Sequence, residues 1–256
     1  MHGVILKDDK RYYYTEAYLK RQGFIFFEAV EAEGSLDFII FPFMGEVDRS
    51  IYNDSYFASL RSDVVIFSGV LNEYLVEMCK KYGLSYHAMA NVQSVKIKNA
   101  TPTSEGVIAH LITNRNDTIS NSRILIIGYG VCGSDLAKKL RLLGADVYVL
   151  VRNKEKEDAA YTDAITPIYL GEILDEVGFN VIINTVPSRV LTNEMIDKMA
   201  ETLFIDIASK PYGFDIEHAK KVNEKSTVLP GIPGKYAVRS AGVILGEFIE
   251  ATLRGR

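Results

Sequence analysis

The sequence is poor in the residues that would staple, metallate or strongly charge a protein. Its two cysteines, Cys79 and Cys132, lie far apart among 256 residues. They cannot build a disulfide framework, and reduced thiols suit a cytoplasmic protein. The four histidines, His2, His87, His110 and His218, show no ligand-type spacing, which argues against a structural zinc site. No stretch approaches the roughly 18 consecutive apolar residues of a membrane span, and even residues 241–253 are interrupted by Glu247 and Glu250. Residues 1–11 lack the apolar centre of a signal peptide. Basic charge is not in excess either: 29 Lys+Arg stand against 33 Asp+Glu, a net charge of −4. Residues 1–100 carry 11 basic and 13 acidic side chains and the remainder 18 and 20, so neither part is a basic lobe for nucleic acid. These absences predict a cytoplasmic protein with no nucleic-acid and no membrane partner. They leave a homo-oligomer open.

What is present is ordinary for a globular chain, with 48% hydrophobic and 24% charged residues. The length fits one large domain or two small ones and can bury a sizeable core. In the first hundred residues, short apolar runs alternate with helical patterns. Strands are expected at 4–6, 24–27, 38–41, 64–68, 84–87 and 95–97. Helices are expected at 12–21, closed by Gly23, and at 72–81, stopping at Gly83. Such alternation implies βαβ units and a parallel sheet. The run Tyr12–Tyr14 reads as packing and rim.

Near Asn99 the character changes. Residues 99–106, N-A-T-P-T-S-E-G, hold a proline and several hydroxyl or amide side chains. A helix over 105–113 is expected to follow, with Thr103 as its N-cap and Glu105 in its first turn. The segment is either a capped linker helix or a hinge whose polar groups face a cleft.

From Arg123 onward the pattern sharpens. An aliphatic run at 124–127 leads directly into Gly128-Tyr129-Gly130-Val131-Cys132-Gly133. Leu136, Ala137, Leu140 and Leu143 then recur at helical spacing up to Gly144. Further strands are expected at 147–151, 181–185 and 203–207, a loop and helix start at 152–158, and a closing helix at 241–253. A lone G-x-G-x-x-G is weak evidence, but between a strand and a helix of a βαβ unit it is a dinucleotide-binding fingerprint. Gly128 permits the tight turn, Gly130 lets the backbone approach the pyrophosphate, and Gly133 allows close helix–strand packing. The helix directs its free N–H groups and positive dipole end at the phosphates. Cys132 reads as a small spacer, with some thiol activation conceivable at a helix N-terminus.

An NAD enzyme places Asp or Glu at the end of the second strand to hold the ribose 2′-hydroxyl. Here Arg152-Asn153-Lys154 stands instead, so a 2′-phosphate is favoured. NADP is the expected cofactor and NAD the alternative; a merely solvated basic patch is the bland reading. Later turns should reach the same crevice at the carboxyl ends of the strands. They supply Thr185, Val186 and Pro187, then Ala208, Ser209 and Lys210, and finally Gly231 in the compact loop 229–234. Asp206 reads as a structural strand-end carboxylate, and Lys235 as a surface cation.

Several stretches together resemble the dipicolinate synthase A-subunit family of spore-forming bacteria: V-I-F-S-G-V-L-N-E-Y-L at 65–75, N-A-T-P-T-S-E-G at 99–106 and I-G-Y-G-V-C-G at 127–133. I-N-T-V-P-S at 183–188, I-D-I-A-S-K-P-Y-G-F-D at 205–215, L-P-G-I-P-G at 229–234 and S-A-G at 240–242 complete the set. The resemblance runs from about Phe38 to the C-terminus. It implies an α/β protein of two Rossmann-like domains with parallel sheets, separated by a cleft. Residues 1–98 would form a Rossmann or flavodoxin-like domain and 99–120 a hinge segment and helix. Residues 121–235 would form the NAD(P)-binding domain, and 236–256 a C-terminal helix packing back.

The resemblance further implies conversion of dihydrodipicolinate to dipicolinate together with a flavoprotein-like B-subunit. Dehydrogenating a dihydropyridine is hydride transfer plus loss of a proton, driven by aromatisation, so no strong base is obligatory. A dicarboxylate substrate calls for N–H, hydroxyl and cationic partners. The substrate candidates are Ser68, Gly69, Asn72, Asn99, Thr101 and Thr103. The catalytic candidates are Thr103, Glu105, Ser209 and Lys210. Where the family tends to read Arg-Pro-Gly-Gly, this chain has Lys210-Pro211-Tyr212-Gly213, which implies a ring near the nicotinamide end and a shifted substrate pocket. Two other readings stay open: a dehydrogenase of another small carboxylic acid, and a non-catalytic nucleotide-binding protein that leaves catalysis to its partner.

Overall fold

The computed structural model of the chain describes residues 1–28, 36–172 and 178–255. It divides into two compact units, Met1–Asn99 with Ala237–Arg256, and Ala100–Tyr236. Among the described residues no helix is long and apolar enough to cross a membrane.

The first unit contains β1 (His2–Ile5), α1 (Lys10–Arg21), β2 (Ile25–Phe26), β3 (Phe38–Ile40), α2 (Asp54–Ser59), β4 (Val65–Ser68), α3 (Glu73–Tyr82) and β5 (Ser85–Ala88). Its strands pair in parallel in the order β2-β1-β3-β4-β5, the doubly wound order of flavodoxin-like sheets. The central strands are apolar on both faces, because helices cover both sides of a parallel sheet. Local chemistry sets the helix ends. Asn72 caps α3 by accepting from the Leu75 N–H at 3.1 Å, and Gly83, at φ +68°, closes it in the left-handed conformation. Tyr12 is buried and donates to the Phe41 carbonyl at 2.9 Å, while Tyr13 and Tyr14 are exposed.

The last helix, α10 (Val238–Arg254), belongs to this unit. Leu245, Ile249 and Leu253 form one apolar stripe buried with Tyr12, Leu19 and Phe38. Thr15 Oγ1 donates to the Gly242 carbonyl at 2.8 Å, and the Tyr18 hydroxyl to Glu250 at 2.7 Å. The C-terminal segment thus completes a core begun by residues between Tyr12 and Val95.

The second unit holds β6 (Arg123–Ile127), α5 (Val131–Leu142), β7 (Asp146–Leu150), α6 (Lys154–Thr162), β8 (Thr166–Ile168) and β9 (Val181–Asn184). Then follow α7 (Asn193–Asp197), β10 (Leu203–Asp206), α8 (Ile216–Val222), β11 (Thr227–Val228) and α9 (Ile232–Tyr236). All pairings are parallel, in the order β11-β10-β9-β6-β7-β8. This is the dinucleotide-binding order, with its switch point between β6 and β9. Ile127 lies beside Asn184, and Asn184 beside Asp206, so three strand ends are level at that point.

Four expectations fail around residue 99 and at the last loop. Residues 95–97 are not a strand, and Thr103 is not an N-cap. Both lie inside α4 (Gln93–Asn114), which continues through Pro102. A proline inside a helix lacks the N–H for the carbonyl four residues back. Burial outweighs that cost here: Ala100, Ser104, Val107 and Leu111 recur on one face, each at most 2% exposed. Ser104 Oγ donates to the Ala100 carbonyl at 2.9 Å. Glu105 is therefore a mid-helix, exposed carboxylate rather than a first-turn one. The loop expected over 229–234 ends in α9, which takes up Pro233 and Gly234.

Ile249 is fully buried in the α1–α10 core. Ile249→Ala should destabilise the protein by ~2–5 kcal/mol, read as a lower urea midpoint.

Candidate functional site

The site is assembled where β6, β9 and β10 end. Gly128 has φ +94° and follows β6 directly. A Cβ there would stand 2.5 Å from Val186 Cγ1 and 2.9 Å from Thr185 Oγ1. A Cβ on Gly133 would run into the Gly128 carbonyl oxygen, so α5 can rest on the turn only because that side chain is missing. At Gly130 the situation is reversed, since its Cβ would meet nothing within 4 Å. Packing inside the protein does not explain that glycine, and the space beside it is open to a ligand.

The start of α5 is electrically open. Gly130 is its N-cap, no side chain caps it, and its first turn holds no acidic residue. Exposed N–H groups and the positive dipole end together attract an anion. The start of α6 is closed by contrast. Asn153 accepts from the Lys156 N–H at 3.1 Å, and Glu155 and Glu157 lie in its first turn. Of the two adjacent helix starts, α5 is the one fit for a pyrophosphate. The turn, the open space at Gly130 and the uncapped helix fit a dinucleotide.

The residues expected around this crevice divide into those facing it and those committed elsewhere. Tyr129 is buried, and its hydroxyl donates to Asp163 at 2.6 Å; burial and that carboxylate push its ionisation up. It anchors the glycine turn to the end of α6, leaving only its backbone for a ligand. Val131 is exposed at the helix start. Cys132 is half-buried, and burial with the charge of Asp135 pushes its thiol up. Both effects run against thiol activation and accord with Cys132 as a small spacer in the turn.

Arg152 is exposed and has no ion-pair or hydrogen-bond partner among the described residues. Lys154 is drawn back by Glu157 and Asp158, each at 3.2 Å. Asn153 is engaged in the α6 cap. Of that triplet, Arg152 is the side chain free to meet a phosphate. Thr185 Oγ1 donates to the Ile127 carbonyl at 2.8 Å, so the hydroxyl ties β9 to β6. Val186 is half-buried and Pro187 exposed beyond it. Ala208 donates its N–H to Asp206, Ser209 and Lys210 are exposed, and Gly231 turns at φ +65°. Tyr212 lies half-buried, sharing a hollow of about 410 Å³ with Arg189, Lys210, Pro211 and Phe214.

The residues expected to hold substrate are less available. Ser68 Oγ is buried and donates to the Val70 carbonyl at 2.6 Å, in contact with the Tyr86 hydroxyl, also 2.6 Å away. Asn72 caps α3, and Gly69 is packed against the Phe43 ring. Ser68 and Gly69 shape the end of β4, while Asn72 commits its Oδ1 to the helix cap and is half-buried. Helical phase divides the expected hinge set: Asn99 and Thr103 share one side of α4, Thr101 and Glu105 another. They cannot all face one ligand. Reading the sequence missed Asn184 and Gly213 as partners of Asp206. The signal was an amide and a carboxylate each ending an otherwise aliphatic strand, V-I-I-N and L-F-I-D.

Residues 89–204 match the family described as D-isomer specific 2-hydroxyacid dehydrogenase, NAD binding domain. The crystal structure of the dipicolinate synthase A-subunit from Bacillus halodurans superposes with a TM-score of 0.90 at 26% identity, covering 98% of this chain and 97% of that one. A transhydrogenase from Sinorhizobium meliloti, at 16% identity, shares the fold with a TM-score of 0.74 over 99% of this chain and 93% of its own. By fold and matched domain, the chain stands with the two-domain Rossmann-type dehydrogenases, which supports a nicotinamide dinucleotide as cofactor. Within that class it is similar to the dipicolinate synthase A-subunit, and the resemblance read from the motifs is borne out. The Bacillus subtilis (strain 168) protein of that name is 31% identical over 191 residues, 74% of this chain. The match spans 64% of that relative's length, under two thirds.

Because the space at Gly130 is open, Gly130→Glu should leave folding intact while placing a carboxylate at the uncapped start of α5, where the glycine motif would seat a pyrophosphate. Nucleotide affinity is expected to fall ~tenfold or more, about 1.4 kcal/mol, with Tm within a few degrees of the parent. Fluorescence titration and thermal melts check both halves.

Proposed function

We propose that this chain is an NADP-dependent dehydrogenase that oxidises dihydrodipicolinate to dipicolinate, working with a flavoprotein-like B-subunit. The cofactor half of the reading is carried by one observation. Arg152, with no partner among the described residues, lies two residues past β7, the strand next to the one that leads into the uncapped α5. An NAD enzyme would keep a carboxylate at that strand end. The substrate half is supported by the likeness to the dipicolinate synthase A-subunit.

When bound, the nicotinamide would accept the hydride that the dihydropyridine loses. The protein's part is binding, orientation and charge placement. The α5 N–H groups would hold the diphosphate, and Arg152 would supply the cation for the 2′-phosphate. Lys210 and Ser209, exposed beyond β10, are the cation and hydroxyl offered to the substrate carboxylates. Since aromatisation drives the step, water or a modest base suffices for the proton, with Glu105 as the candidate carboxylate. Tyr212 beside Lys210 narrows the pocket relative to a glycine there.

Arg152→Asp should invert the cofactor preference, weakening NADP by ~tenfold or more, about 1.4 kcal/mol, and leaving NAD equal or tighter. A parent that prefers NAD would disprove the role given to Arg152. Dipicolinate formation, followed by its ultraviolet absorbance with and without the flavoprotein-like partner, tests the reaction itself. Absence of product in both cases would favour a non-catalytic nucleotide-binding role or another carboxylic-acid substrate.

A further inference from the structure

Two neighbouring strands of the second sheet end in polar side chains that no solvent reaches. Asn184 closes β9 and Asp206 closes β10; they are register partners, and both are 0% exposed. An ionised carboxylate in such a place is costly unless donors replace its water. Three do. Asp206 Oδ1 accepts from the Ala208 N–H at 2.9 Å. Its Oδ2 accepts from the Gly213 N–H at 2.7 Å and from Asn184 Nδ2 at 2.9 Å.

The network continues past the carboxylate. Asn184 Nδ2 also donates to the Val186 carbonyl at 2.8 Å, and its Oδ1 accepts from the Val186 N–H at 3.2 Å. The Gly213 carbonyl in turn accepts from Val190 at 2.7 Å and Leu191 at 3.0 Å. Gly213 can sit there only without a side chain, because a Cβ would overlap the Asn184 amide. One carboxylate therefore closes the loop 207–213 on itself and joins it to the loop 185–191. The tips of these loops, at Pro187, Ser209 and Lys210, are exposed.

We infer that Asp206 is a positioning residue that locks both loops into one rigid edge of the cofactor crevice; the functional part of this inference rests on the dinucleotide reading above. Its geometry selects carboxylate over amide. An asparagine at 206 would offer one acceptor oxygen and turn an NH₂ group toward an N–H donor. Burial raises the carboxyl's pKa, while the Gly213, Ala208 and Asn184 donors oppose the shift. Tolerances at such crevice edges are a fraction of an ångström, so a slackened lock should appear first in ligand affinity.

Asp206→Asn and Asn184→Ala are to be compared with the parent by amide hydrogen exchange and by NADP titration. In Asp206→Asn, exchange at Val186, Ala208 and Gly213 should quicken ~tenfold or more while β6 amides stay protected. Asn184→Ala removes the bridge to Asp206 and both Val186 bonds but leaves the Ala208–Asp206 bond, so Val186 should open while Ala208 keeps its protection. It serves as the decisive variant if Asp206→Asn does not fold. NADP affinity should fall ~tenfold or more in both variants. Unchanged Val186 exchange in Asn184→Ala would overturn the lock. Faster exchange with unaltered NADP affinity would overturn its positioning role. If the parent binds neither NADP nor NAD, the dinucleotide reading and this positioning role both fail, while the exchange pattern alone still decides whether the lock exists.

Discussion

The close seating of α5 on the turn after β6 is the constraint from which the rest of the second unit follows. Gly133 lies against the Gly128 carbonyl with no room for a methyl group, and that contact fixes where the helix points. Its uncapped N–H groups then converge over the switch point between β6 and β9. An uncapped helix start leaves hydrogen-bonding capacity unused in the ligand-free chain. The protein retains this unsatisfied end while closing the neighbouring one at α6 with Asn153, Glu155 and Glu157.

The same division of labour governs the polar residues nearby. Tyr129, Asn153, Lys154 and Thr185 are all polar and near the crevice, yet each side chain is engaged in holding backbone or helix ends. Arg152, Ser209 and Lys210 are exposed and have no side-chain hydrogen bond or ion pair among the described residues. Salt bridges such as Lys154–Asp158 are solvent-exposed and screened, so they add little to stability. Their effect is on which cation is free, more than on stability. Burial, in contrast, sets the energetics of Asp206, whose donors are all internal.

Much of this was legible from the residues alone. Aliphatic runs such as R-I-L-I-I and V-I-I-N marked the parallel strands, because strands covered on both faces need no polar alternation. The glycine spacing placed the cofactor turn. What stayed hidden had physical causes. The α4 helix crosses N-A-T-P-T-S because a buried stripe overrides poor local propensity. Strand β8 contains Pro167 and was unreadable as a strand; it survives at the sheet edge, where a missing N–H is tolerated. The commitments of Ser68, Asn72 and Tyr129 depend on partners 2 to 34 residues away, and spacing patterns do not encode such partners.

The margins of the two sheets carry a consequence for life in a crowded solution. The first sheet ends on one side in the two-residue β2, and the second ends in the two-residue β11 and the proline-bearing β8. A foreign strand arriving at these borders finds few unpaired amides in register to copy. Stacking of one molecule onto the next through its main chain is thereby discouraged, and the fold keeps its long aliphatic strands safely in the middle.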